Sequence, residues 1–214
     1  MGICISVQSQ ASLSFRRLIA CCLSLTATQS SLPADDTFLG RSPKQWQEAF
    51  ASATGGDRHH AAWAIATLSG QSSNSESALA SLGTLARDSD ASVRYWGATG
   101  LSRLSQKTGL DQTSRTAALK ALPPLLADEA AAPRIAAAGA MGQLGEAEKA
   151  LPVLLAAMKD AQDSARIQAA MALESLGERA RPAQATLREG TRDSSEYVKR
   201  ISERSLTRLT ATKQ

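Results

Sequence analysis

Apolar residues recur along this chain with one helical spacing, five times over. A basic residue opens each unit, small residues follow three and four positions later, and large apolar residues follow at seven and ten. The units start at Arg58 (Ala61, Ala62, Ile65, Leu68), Arg94 (Gly97, Ala98, Leu101, Leu104) and Arg134 (Ala137, Ala138, Met141, Leu144). They continue at Arg166 (Ala169, Ala170, Leu173, Leu176) and, degraded, at Lys199 (Ser202, Glu203, Leu206, Leu209). These offsets fall on one side of a helix turning about 100° per residue. The small pair lets a neighbouring backbone come close, and the large pair fills the space beyond it. Successive starts are 36, 40, 32 and 33 residues apart, the period of a helical repeat array.

A second apolar stretch precedes most of these helices, as in Ala80–Ala86, Ala118–Leu126 and Ala150–Met158. Between the two stretches sits an aspartate six residues before the basic position: Asp88, Asp128, Asp160 and Asp193, with Ser52 in the first unit. A short polar side chain at such a turn can accept from free N–H groups at the start of the second helix. Each unit is therefore a helical hairpin. Pro123 and Pro124 fall inside a first helix and are expected to kink it. Ser42 before Pro43 marks a helix start, and Gly70, Gly145 and Gly177 are expected where helices stop.

The pattern Asp-x5-Arg-x2-[Ala/Gly]-Ala-x2-[Leu/Met]-x2-Leu resembles the HEAT repeat family in its short bacterial form, over about residues 41–210. The resemblance implies an all-α solenoid of about five hairpins, at about 43–70, 74–107, 112–146, 147–178 and 179–210. Residues 35–42 form a linker and 211–214 a tail. It also implies that Asp88, Arg94, Asp128, Arg134, Asp160 and Arg166 form a structural ladder between repeats. Copies at one spacing point to architecture, whereas a catalytic site is usually single. The polar fifth unit has the character of a C-terminal cap.

Residues 1–34 differ in kind. They hold Arg16 and Arg17, no acid, a largely apolar run Leu18–Ala27, and small residues before Asp35 and Asp36. That order reads as a secretory signal peptide, and the run is short for a bilayer span. Three alternatives use the same residues: lipidation at Cys21, N-myristoylation at Gly2 with Cys4 as a second acyl site, and a twin-arginine signal. Cys4, Cys21 and Cys22 are the only cysteines, so a processed chain has no disulfide framework and no thiolate site.

Charge narrows the partners. The chain is formally +4, but Arg16 and Arg17 leave with the leader. Residues 35–178 carry 13 basic and 16 acidic groups, and residues 179–214 carry nine and four. Arg200, Arg204 and Arg208 form one stripe at four-residue spacing, a candidate anion-binding surface. Nucleic acid is not an expected partner of an exported, near-neutral array.

No catalytic motif is recognisable. His59 and His60 are adjacent and point about 100° apart, a poor chelating pair, so no metal or cofactor is expected. The resemblance brings in bilin lyases and alkylpurine DNA glycosylases, which use related repeats. Neither chemistry maps onto residues of this chain. It also implies that the second helices line a concave face. Positions two, five and nine after each basic start point there, including Trp63, Thr67, Thr99, Gln143, Gln168, Met171, Ser175 and Ile201. His60, Trp63, Trp96 and Arg103 form a candidate patch for a protein partner. The alternative is that the tryptophans seal the N-terminal end against Phe38, Trp46 or Phe50. The expected function is an exported, non-catalytic protein-interaction scaffold. A small-molecule lyase subunit and an anion-binding surface protein stand as alternatives.

Overall fold

The computed structural model describes residues 37–106 and 110–211, all within one compact unit, Asp36–Gln214. The leader, with Gly2, Cys21 and the other cysteines, lies outside the described residues. So do part of the polar stretch after Ser105 and the last three residues of the tail. Among the described residues the chain is a succession of helices. These are α1 (Pro43–Ser52), α2 (Gly55–Gln71), α3 (Ser75–Leu85), α4 (Ala91–Ser105) and α5 (Gln112–Ala121). They continue as α6 (Ala131–Gln143), α7 (Ala147–Ala157), α8 (Asp163–Leu176), α9 (Gln184–Gly190) and α10 (Glu196–Ala211). Short 3-10 turns, Pro123–Ala127 and Gly177–Ala183, precede α6 and α9.

The even-numbered helices are the second helices of the hairpins, and they pack in sequence: α2 on α4, α4 on α6, α6 on α8, α8 on α10. Their contact stripe is the apolar pattern itself. All sixteen of the small and large positions in the first four units are buried. Each buried Leu contributes about 2 kcal/mol through area removed from water, and the small residues set how closely the helices approach. At Gly97 a Cβ would lie 2.5 Å from the Ala86 backbone nitrogen, so only glycine fits there. The chain is an all-α solenoid.

Local signals account for the element boundaries. Ser42 caps α1 as half of a capping box: Gln45 N–H donates to Ser42 Oγ, and Ser42 N–H donates to Gln45 Oε1 at 2.8 Å. The proline pair does more than kink its helix. It ends α5 at Ala121 and starts the 3-10 turn, because Pro123 and Pro124 offer no N–H to continue the ladder. Gly145 and Gly177 terminate helices at φ of +100° and +55°. Gly70 departs from expectation by lying inside the last turn of α2. Its missing side chain makes room for Arg103, whose Cβ would stand 2.8 Å from a Cβ at position 70.

In the fifth unit Ser202 is fully buried while Glu203 is exposed. One small position is kept for packing, and the other faces water.

Candidate functional site

Two sets of polar side chains have to be separated before a working surface can be found: those that hold the repeats together, and those left over. The turn aspartates belong to the first set. In each of the four later turns the carboxylate accepts the N–H two residues on. Asp88 takes Asp90, Asp128 takes Ala130, Asp160 takes Gln162 and Asp193 takes Ser195, at 2.8–2.9 Å. The helix arginines bind the carbonyls of their own turn: Arg94 those of Asp88 and Ser89, Arg134 those of Asp128 and Glu129, Arg166 those of Asp160 and Ala161.

The link between repeats runs from one unit's arginine to the next unit's aspartate. Arg58 grips Asp88 with two N–H groups at 2.9 and 2.5 Å. Arg94 Nε and Nη2 donate to Asp128 at 2.6 and 2.9 Å, and Arg166 Nε and Nη2 donate to Asp193 at 2.9 and 3.1 Å. These guanidiniums hold all three carboxyls below the usual carboxylate range, against the opposing effect of burial. One expected rung is open: Arg134 and Asp160 form no ion pair with each other. That junction is bridged by Gln143 Nε2, which donates to Ser175 Oγ at 2.9 Å. Leu176 also lies where a Cβ on Gly142 would be, 2.5 Å from the nearest side-chain atom. Apolar nesting has replaced the charge pair there.

The histidines are likewise engaged. His59 Nε2 lies 2.6 Å from Asp90 Oδ2, and that contact lowers the Asp90 carboxyl. His60 stacks on Trp63, with centroids 5.4 Å apart and planes at 20°. Among the described residues no cluster of three His, Cys, Asp or Glu is placed to hold a metal ion.

What is left over forms a face. His60, Trp63 and Trp96 come together in one aromatic row, with Trp63 and Trp96 centroids 6.3 Å apart and Tyr95 edge-on to Trp96 at 5.0 Å. Phe38 stands edge-on to Trp63 at 4.9 Å. It is held there by a tight turn in which Phe38 and Arg41 exchange backbone hydrogen bonds across Leu39 and Gly40. Trp46 is buried below, its Nε1 donating to the Phe38 carbonyl at 2.9 Å, with the Arg41 guanidinium over its ring. The row therefore packs over the N-terminal end of the array and also reaches the surface. Its Phe38–Trp46 end seals the array, while His60 is exposed and Trp63, Tyr95 and Trp96 are half-exposed.

Beyond the row, α4, α6 and α8 frame an open groove of about 270 Å³. Thr99, Arg103, Gln143, Gln168, Met171 and Ser175 lie along it. Arg103 belongs to the same face as the tryptophans but is turned toward α2, donating from Nη1 to Thr67 Oγ1 at 3.0 Å. Ile201, expected on this face, is instead buried, because α10 is the last helix and leans its apolar side onto α8 and α9. The arginine stripe on α10 is not a free cationic surface. Arg204 is paired with Glu174, and Arg208 Nη1 lies 3.4 Å from the same carboxylate. Only Arg200 of the three has no ion-pair partner among the described residues. Two participants were missed in sequence: Tyr95, which carries no repeat signature, and Glu174, whose role depends on how α8 and α10 align.

Residues 108–174 match the family model described as HEAT repeats. Among solved structures, the chain is similar to a crystal structure of an engineered protein, at 15% identity over 79% of both chains and a TM-score of 0.52. It is also similar to a designed armadillo repeat protein in complex with the peptide (KR)4, at 18% identity over 77% of this chain and 80% of that one, again with a TM-score of 0.52. At these identities the likeness concerns the fold. No curated protein matches the sequence.

Proposed function

We propose that this solenoid, whose residues 108–174 match HEAT repeats, is a non-catalytic scaffold holding a protein partner against its second helices, and that it does so after export. The observation that carries the binding reading is the division of polar groups just described. The turn aspartates and the arginines that open the second helices are tied into the frame, whereas aromatic rings, Arg103 and Met171 remain open on one face. Half-exposed tryptophans beside a groove that an arginine lines are the composition of a partner anchor. The similar designed armadillo protein holds a peptide, which is consistent with a solenoid face acting as a cradle. Export rests on the order of residues in the leader.

The test is copurification of the protein from its own cells after fractionation, in wild type and two variants. Trp63→Ala/Trp96→Ala removes the anchors, and Met171→Glu alters a 56% exposed side chain without touching the core. A protein recovered from the envelope fraction and lost in both variants, with melting unchanged in Met171→Glu, is the expected result. Recovery in the cytosol ends the export reading, and retention of the partner by both variants ends the assignment of this face.

A further inference from the structure

The occupant of the groove can be identified by its chemistry, on the reading that this face binds a protein. Arg103 is the one charged residue lining it. Its side chain is exposed, and no carboxylate among the described residues lies within ion-pair distance of it. The bond to Thr67 Oγ1, allowed by the bare Cα of Gly70, fixes the direction of the guanidinium and leaves its other donors open. A pre-aimed guanidinium with free N–H groups recognises carboxylates well.

A second, independent feature lies on the same wall. Gln143 is fully engaged, its Oε1 accepting from Ser102, Ser105 and Gln106 and its Nε2 donating to Ser175. Gln168 is not: its Oε1 is buried and accepts no hydrogen bond. That oxygen is closed off from solvent and costly to leave unpaired, so it meets a partner's donor when the half-buried Gln168 side chain, which lines the groove, turns outward. Met171 lies one turn further along α8 with its thioether side chain exposed, an adaptable apolar contact.

We propose that the groove takes an extended acidic segment of the partner: a carboxylate on Arg103, a backbone N–H on the outward-turned Gln168 amide and an apolar side chain against Met171. A basic segment would find no carboxylate in the groove and would be opposed by Arg103.

Three labelled peptides of equal length test this, composed of Glu/Pro/Leu, Gln/Pro/Leu and Lys/Pro/Leu so that proline keeps them extended. Fluorescence anisotropy with the full chain is expected to show the Glu peptide binding about tenfold tighter than the Gln peptide, with the preference fading as salt rises. Arg103→Gln should erase that preference. Gln168→Leu should weaken both peptides by about fivefold without lowering the melting temperature, since it removes an unsatisfied acceptor. Equal binding of the three peptides, or a preference for Lys, overturns the acidic class while the scaffold reading survives if Met171→Glu still releases the native partner. Absence of binding by all three overturns the inference, and the scaffold reading is then judged by copurification alone.

Discussion

Asp128 and Asp160 occupy the same place in successive repeats and do different amounts of work. Both accept the N–H two residues on, at 2.9 and 2.8 Å. Only Asp128 also receives a guanidinium from the preceding repeat, and its side chain is 5% exposed as a result. The turn aspartate thus has two separable roles, one local and one between repeats. The local role needs only a short side chain at the right place in the turn. The second needs two helices from different hairpins to present arginine and aspartate at bonding distance, and at the third junction Gln143, Ser175, Gly142 and Leu176 hold the helices together instead.

The largest effect expected from this contrast is at the closed rung. Asp128→Ala strands the Arg94 guanidinium, 20% exposed, and removes the turn bond, so stability should fall by about 3 kcal/mol in urea unfolding. The same rung gives a pH signature. Asp88, Asp128 and Asp193 have lowered folded-state values, first because of their arginine partners. Their contribution is complete above the ordinary Asp value, near pH 4, and disappears as pH falls through the lower folded values. Asp128→Asn should therefore lie well below wild type at neutral pH and approach it in acid. A gap that stays constant with pH would remove the charge pairing from the account.

At the open junction the corresponding blow is steric. Gly142→Ala drives a Cβ into Leu176, and a cost of about 2 kcal/mol is expected. A neutral result would mean that Leu176 can swing away and that nesting is not what holds α6 to α8. Asp160→Ala should cost less, about 1 kcal/mol, the value of a turn-capping bond.

The sequence was legible where a feature is local or periodic. Ser42 and Pro43 start α1, Pro123 and Pro124 end α5, and the apolar stripe gives the buried face of α2, α4, α6 and α8 because one helix's geometry determines it. Legibility failed where the outcome depends on two helices at once. The Asp-x5-Arg motif is complete at Asp160 and Arg166, yet Arg134, the arginine that should reach forward to Asp160, does not. Ile201 follows the spacing of the groove positions and is buried, since a terminal helix has no next neighbour to keep its orientation. Gly70 looks like a helix stop and is a clearance for Arg103. Of the surface, the placement of Trp63 and Trp96 off the core stripe was recognisable, but the unpaired Gln168 carbonyl carries no sequence signal: Gln143 and Gln168 occupy comparable helices, and only the neighbours of Gln143 satisfy its amide.

The smallest effect sharpens the comparison most, because it is a difference of differences. In a double-mutant cycle, Arg94→Gln with Asp128→Ala should show a coupling of about 2 kcal/mol, as expected for side chains in direct contact. The cycle of Arg134→Gln with Asp160→Ala should show coupling within about 0.3 kcal/mol, the level of independent sites. Each single change there still has a cost, since Arg134 binds the carbonyls of Asp128 and Glu129 and Asp160 binds Gln162 N–H. Those costs belong to different turns and should simply add. A large coupling at this junction would mean that the rung closes in solution and that the frame is uniform. Additivity would leave the α6–α8 junction, which forms one wall of the groove, as the one junction between described second helices that is held by packing and neutral hydrogen bonds alone.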